Sequence, residues 1–259
     1  MFSIIIPNYN NAIFLDKMFH SIYTQTYQDY EIIFIDDVST DNSIEIARKW
    51  KTKYFKDKMK LILMEDKAWN GGARNVGLAN QDKNKMYTLF LDSDDTFDGK
   101  DCLQTIVDII KENNYPDCIR LSYNWCGDEI RHVDLSEQNT PELLAPVCDV
   151  ACWTKCIKTH LIVEFPMNTL MEDVIQHLRQ VDKIKTIVGC KRAIVNWNRQ
   201  NPNSCSTNGQ LQNGKWLSSF YRYFADLLDL QVETSCAEVA RQSRIKEMKQ
   251  LIKNNSKDW

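Results

Sequence analysis

The sequence contains no apolar run near the roughly 18 residues that a membrane-crossing helix needs, no internal repeat and no low-complexity stretch. It opens MFSIIIPNYN, without a basic n-region or a small-residue cleavage pattern, so the expectation is no signal peptide and a cytoplasmic protein. Glycine is scarce, 8 in 259 residues, and two phosphate-cradling patterns are missing with it. There is no G-x-G-x-x-G, no glycine in the turn after the first strand, and no P-loop. Charge of one sign is not in excess either. A net charge of −3 excludes the chain as a whole from binding polyanions through bulk electrostatics. A paired-cysteine framework is also lacking: nine cysteines at irregular spacing predict reduced thiols. Cys148, Cys152, Cys156 and His160 recur every four residues. On a continuous helix they would span about 18 Å, too far to share one zinc, so they read as small buried side chains.

What is present is ordinary globular composition, 43% hydrophobic and 26% charged, on a length suited to one large domain or one and a half. Over the first hundred residues strands alternate with helices. FSIIIP, YEIIFIDD, MKLILME and MYTLFLD read as strands, and their unbroken apolar runs suit a parallel sheet. FLDKMFHSIY carries Phe14, Leu15, Met18, Phe19 and Ile22 at helical spacing. STDNSIEIARKWKTKYF and GARNVGLAN are the next two helices. The order predicts an α/β fold with a mostly parallel, doubly wound sheet. Ligands of such sheets sit at the carboxyl ends of the strands.

After Gly99 the pattern becomes mixed. CLQTIVDIIKENN and TLMEDVIQHLRQV are helical, CIRLSYNW and TIVGCKRAIVNW are strands, and EIRHVDL belongs to a hairpin. From Gly214 the chain turns helical, with Trp216, Phe220, Tyr221, Phe224, Leu227 and Leu228 as an apolar stripe and a last helix over about 237 to 254. Three parts result: 1–98, 99–205 and a C-terminal helical segment, 206–259.

Chemistry concentrates at strand ends. LFLDSDDTF places Asp92, Asp94 and Asp95 within four positions after an apolar strand. Carboxylates so close repel, and a D-x-D can offer oxygens to Mg²⁺ or Mn²⁺, which also bind substrate phosphates. The competing reading is a solvated turn that caps the next helix. FIDDVSTDNS brings Asp36 and Asp37 to the end of the second strand, able to accept hydrogen bonds from a nucleobase or ribose. NGGARNVG offers two glycines where a backbone approaches a ligand and Arg74 as a fixed cation. In NTLMEDV, Thr169 and Glu172 form a capping box, and acids suit a first helical turn; the functional alternative is that the box fixes the helix start so that Asp173 serves as a general base. NRQNPNSCST is a polar loop holding Arg199.

Together these segments resemble the inverting, nucleotide-sugar-dependent glycosyltransferases of family 2, which have the GT-A fold. The resemblance runs through SIIIPNYN, EIIFIDDVSTDNS, GGARNVGL, LFLDSDD, CWTK and MEDV and fades after NWNRQNPNSCS, about the first 205 residues. It implies that Pro7 and Tyr9 flank the nucleobase and that Asp37 hydrogen-bonds it. It sets Arg74 along the nucleotide, makes Asp92 and Asp94 the D-x-D with Asp94 as the direct metal ligand, and gives Asp173 the role of base. Arg199 and Ser204 would cover the diphosphate, and Trp153 would stand on the acceptor side or in the core. The implied donor is a UDP-sugar, the cofactor Mn²⁺ or Mg²⁺, and the acceptor a glycan or lipid-linked glycan, with nucleic acid a lesser alternative. A basic stripe on the last helix, Lys246, Lys249, Lys253 and Lys257, is a solvated face or a contact with an anionic membrane surface. Two rivals accompany this reading. One is a phosphatase of the haloacid-dehalogenase type using Asp92 and Asp94, although the required later acidic pair is missing. The other is a non-catalytic nucleotide-sugar-binding module.

Overall fold

The computed structural model describes residues 1–140, 151–167, 171–202, 204, 225, 227–231 and 235–255. Nine strands form one mixed sheet. The first four are β1 (Phe2–Asn8), β2 (Tyr30–Asp36), β3 (Met59–Leu63) and β4 (Tyr87–Phe90); the others are β5 (Thr96–Phe97), β6 (Cys118–Cys126), β7 (Ile130–Val133), β8 (Lys155–Lys158) and β9 (Ile187–Asn198). Their order is β3-β2-β1-β4-β8-β6-β9-β5, with β7 paired to β6. The β3-β2-β1-β4 half is parallel throughout, and every residue of β1 and β2 is buried, as their unbroken apolar runs require. The other half is mixed. β8 is antiparallel to both β4 and β6, so β6 runs in the direction of β4, and β9 is parallel to β6. The carboxyl ends of β1, β2, β4, β6 and β9 therefore point the same way.

Pro7 shows how local chemistry is fitted to this topology. Ile5 O accepts from Leu91 N while Asn8 O accepts from Asp37 N, so odd-numbered positions of β1 address β4. Pro7 lies past the last β1–β4 pair, Ile5 with Phe90. Its missing N–H removes no ladder bond.

Six helices are described: α1 (Ala12–Tyr23), α2 (Ser43–Trp50), α3 (Trp69–Asn80), α4 (Cys102–Glu112), α5 (Glu172–Val181) and α6 (Ser235–Asn255). α1 buries Leu15, Met18, Phe19 and Ile22, the stripe its spacing predicts. α2 is shorter than its sequence suggests. It gives way after Trp50 to a π turn, Lys51–Phe55, which brings Trp50 and Phe55 within 5.7 and 5.8 Å of Phe19. α5 starts two residues later than a Thr169 cap would place it. Its N-cap is Met171, left-handed at φ 59°, and Thr169 lies outside the described residues.

Two apolar clusters hold the chain. The larger unites the parallel half with α1, α4, β6 and β9, so residues on both sides of Gly99 share one core. Trp153 belongs to it, 4% exposed, as do Cys152 and Cys156. These cysteines lie on a 3₁₀ turn and on β8, not on a helix. Cys148 is outside the described residues. The smaller cluster packs Val174, Ile175, Leu178 and Val181 of α5 against Leu227, Leu230 and, from α6, Ile245 and Met248. Fully burying one such side chain contributes about 1.5–3 kcal/mol, so α6 braces the helix that begins at Glu172. Leu228 of the expected stripe is exposed; Trp216, Phe220, Tyr221 and Phe224 lie outside the described residues. Among the described residues no helix is long and apolar enough to cross a membrane.

Candidate functional site

The centre of the site is a buried guanidinium. Arg74 projects from α3 and is 1% exposed. Its Nη2 donates to Asp92 Oδ1 at 2.8 Å, and its Nη1 donates to Glu172 Oε1 at 2.7 Å and Asp173 Oδ1 at 3.3 Å. Phe165 lies 5.3 Å from the guanidinium carbon. The cation expected along a nucleotide is thus shared among three carboxylates and ties the end of β4 to the first turn of α5. Gly71 and Gly72 serve that packing instead of an approaching ligand. A Cβ on Gly71 would stand 2.5 Å from Pro166 O, and one on Gly72 would stand 2.5 Å from Ala68 Cβ. Glu172 is the first residue of α5 rather than its third, and its carboxylate accepts from Arg74.

The acids facing Arg74 are held away from their ordinary protonation. Burial, then the neighbouring Asp173, pushes Glu172 up to about 7 against the pull of Arg74. Burial raises Asp173 as well, and Arg74 draws it back. A carboxylate made more basic in this way is closer to the range in which a general base works at neutral pH.

Past β4 the chain turns at Asp92, with Asp95 N bonded to Asp92 O at 3.0 Å, and the D-x-D side chains gather there. Asp94 Oδ2 accepts from Asn201 Nδ2 at 2.6 Å. Asn11 links the same two segments: its Nδ2 donates to Ser93 Oγ at 2.8 Å and its Oδ1 accepts from Asn201 at 3.2 Å. Burial first, and Asp92 next, push Asp94 up to about 6. Asp95 is raised further by burial and by Asp94 and Asp92. One of its oxygens accepts from Asn198 N at 2.7 Å, and the other, Oδ2, is buried with no hydrogen-bond partner among the described residues. Three carboxylates gather here and, among the described residues, Arg74 pairs with Asp92, so negative charge is crowded at this turn.

That crowding fits a hard divalent cation. The donors are all carboxylate oxygens, the kind Mg²⁺ and Mn²⁺ prefer. Among the described residues no group of three His, Cys, Asp or Glu side chains is placed to hold a metal alone. Asp92 and Asp94 would provide part of a coordination shell and leave the rest to phosphate oxygens and water.

At the end of β2 the acids are satisfied. Asp36 accepts from Asn8 Nδ2 and Ser39 N, each at 2.8 Å. Asp37 accepts from Ala68 N at 2.7 Å and Trp69 N at 3.0 Å, so it caps α3, and it pairs with Lys67 Nζ at 3.0 Å. The same ammonium lies 3.0 Å from the centroid of Tyr9, whose ring is 43% exposed. Pro7, Tyr9 and Asp37 thus meet at one corner of the sheet's carboxyl edge. Nothing in the sequence singles out Lys67, since only the fold sets it beside an acid thirty positions earlier.

Arg199 follows β9, with its guanidinium 4.5 Å from the Trp197 ring and its N–H bonded to Cys126 O. Ser204 N donates to Asn201 O at 3.2 Å, in the loop that reaches Asp94. Trp153 packs edge-on against Tyr123, 4.9 Å between centroids. Asn11 and Asn201 escape sequence reasoning because an amide carries no charge signature; only the polar NRQNPNSCST loop marks the neighbourhood of Asn201.

Comparison with known proteins agrees with this architecture. The structure superimposes on the crystal structure of S. aureus TarS 1-349 in complex with UDP-GlcNAc with a TM-score of 0.72 and 20% identity, over 98% of this chain and 72% of that one. A mannosyltransferase from Pyrobaculum calidifontis, in complex with GDP-Man and Mn²⁺, gives 0.68 and 13%, over 94% and 68%. The fold is of the GT-A type. By sequence, the chain is 33% identical over 132 residues to the minor teichoic acid biosynthesis protein GgaA of Bacillus subtilis, covering 50% of this chain and 29% of that protein. It is 36% identical over 117 residues to the poly(ribitol-phosphate) beta-glucosyltransferase of Bacillus spizizenii, covering 43% and 17%. The chain therefore spans less than a third of the length of these two relatives. Residues 3–151, more than half of the chain, match the family model for glycosyl transferase family 2, and the chain belongs to that family.

Proposed function

We propose that the protein transfers a sugar from a nucleotide-sugar, a UDP-sugar by preference, to an acceptor hydroxyl with inversion at the anomeric carbon, in a reaction dependent on Mn²⁺ or Mg²⁺. The observation that carries this reading is the joining of two sets of carboxylates by one buried cation: Arg74 links Asp92 of the D-x-D to Asp173 at the start of α5. Family membership disfavours the phosphatase alternative.

Pro7, Tyr9 and Asp37 hold the nucleobase. Asp94, with Asp92, holds the divalent ion, which when bound offsets the negative charge of the diphosphate as a Lewis acid. Arg199 and Ser204 cover the diphosphate from the loop after β9. Arg74 contributes through the acids it orients, fixing Asp92 on the donor side and Asp173 on the acceptor side. Asp173 takes the proton of the acceptor hydroxyl as that oxygen forms its bond to the anomeric carbon, and the nucleoside diphosphate departs from the opposite face. The two Bacillus relatives are named for work on teichoic acid and poly(ribitol-phosphate), which favours a glycan or polyol-phosphate acceptor, free or lipid-linked, over nucleic acid.

The test is a thermal-shift series with UDP and UDP-sugars, in Mn²⁺ and in chelator, followed by a transfer assay. A ligand at about 100 times its dissociation constant stabilises by roughly 2.7 kcal/mol. Stabilisation by UDP in Mn²⁺ and none in chelator is the expected result. Equal binding in both conditions removes the metal assignment, and no binding of any nucleotide removes the donor assignment.

A further inference from the structure

Four residues beside the proposed site stand in a backbone conformation that L-amino acids avoid. Asn10, Val38, Trp69 and Met171 have φ of 51°, 65°, 61° and 59°. Each adjoins a residue or element of the proposed site: Tyr9, Asp37, the start of α3 and the start of α5. Asn tolerates this region, but a β-branched valine and a tryptophan there are outliers. The left-handed region costs an L-residue roughly 1–2 kcal/mol, and such strain persists where surrounding structure over-determines it.

At Trp69 the over-determining contact is visible. Asp37 accepts the N–H groups of both Ala68 and Trp69, which fixes the turn into α3. The result is an indole 44% exposed, close to a Tyr9 ring 43% exposed. Lys67 Nζ lies 3.0 Å from the Tyr9 centroid and 5.8 Å from the Trp69 centroid. Two exposed aromatic rings thus share one ammonium, and that ammonium pairs with Asp37 Oδ2 at 3.0 Å. Val38, 38% exposed, adds an apolar side chain at the next position along from Asp37.

Resting on the donor reading above, we propose that Trp69 is a second aromatic wall of the nucleobase pocket, opposite Tyr9, and that its left-handed backbone is retained for this purpose. A base bound there takes the place of the Lys67 ammonium against the rings.

The strain makes the proposal testable in two directions at once. Trp69→Gly removes both the indole and the steric conflict, because glycine adopts positive φ freely. It is expected to melt no lower than the wild type and to bind UDP in Mn²⁺ about tenfold more weakly, within the range for losing one base–aromatic stack. Trp69→Phe keeps an aromatic face and is expected to bind within about threefold of the wild type. Val38→Gly should likewise keep its melting temperature and lose less affinity than Trp69→Gly. If Trp69→Gly binds UDP as the wild type does, or Trp69→Phe binds as weakly as Trp69→Gly, the second wall is overturned while the donor assignment stands. If the wild type itself binds neither UDP nor GDP, both fall together.

Discussion

The two acidic strand ends of this protein use the same side chain to opposite effect. At the end of β2, Asp36 and Asp37 are met by Asn8, three backbone N–H groups and Lys67. Their charge is consumed by the fold, which employs it to close the β2 turn and start α3. At the end of β4, among the described residues, Asp92, Asp94 and Asp95 face one shared guanidinium, one amide and a single backbone N–H. There the described residues leave negative charge crowded, and burial, then Asp92, pushes Asp94 up to about 6. A satisfied carboxylate is structural even when it also touches a ligand. A crowded cluster of carboxylates at the open edge of a sheet is a place where a bound cation gains most.

The sharpest way to test that contrast is to remove the base fed by the same arginine. Asp173→Asn should lower transfer by roughly 10²–10⁴-fold and leave UDP affinity near that of the wild type; a normal turnover would return Glu172 and Asp173 to helix-start duty. Next comes the bridge. Arg74→Met strands three carboxylates, and breaking a buried pair from one side costs about 3–5 kcal/mol, so urea unfolding should show a loss of this order. A loss below about 1 kcal/mol would mean that the acids find other partners or protonate at little expense.

Paired variants then set one strand end against the other. Asp37→Ala should destabilise the free protein by roughly 0.5–2 kcal/mol through loss of the cap. Asp94→Asn should not destabilise it at pH 8, because it removes surplus charge and keeps an acceptor for Asn201, yet it should abolish the Mn²⁺-dependent part of UDP binding. Equal destabilisation by both would erase the distinction. The smallest expected effect is a pH slope. Glu172 is raised from its ordinary 4.5 to about 7 in the folded protein, so the fold prefers its protonated form. The stability it contributes is complete below about pH 4.5 and is lost as pH rises through about 7. Glu172→Gln should flatten the melting-temperature profile across that window, and an unchanged slope would assign it to other groups.

Much of this was legible from residue order. FSIIIP, YEIIFIDD and MYTLFLD declare buried parallel strands because no alternation interrupts them, and acids directly behind such runs must fall at the sheet's carboxyl edge. The hairpin of EIRHVDL and the final helix were equally readable. The exact start of α5 was not, since Thr169-x-x-Glu172 satisfies a capping pattern while the helix begins at Glu172, whose carboxylate meets Arg74. The glycine pair in NGGARNVG was ambiguous for a related reason: a missing Cβ admits a ligand and a neighbouring carbonyl alike.

By itself, then, the sequence determined the parallel half of the sheet, the positions of the acids along it and the family to which the motifs belong, because apolar periodicity and strand-end chemistry are local properties. Only the tertiary structure decided which acids are satisfied and which are crowded together. Arg74 meets Asp173 across 99 positions, Asn201 meets Asp94 across 107, and Lys67 meets Asp37 across 30. Whether a buried carboxylate is neutralised depends on what lies within about 4 Å of it, and that distance is set by the packing of α3, α5 and the loop after β9 against the end of β4.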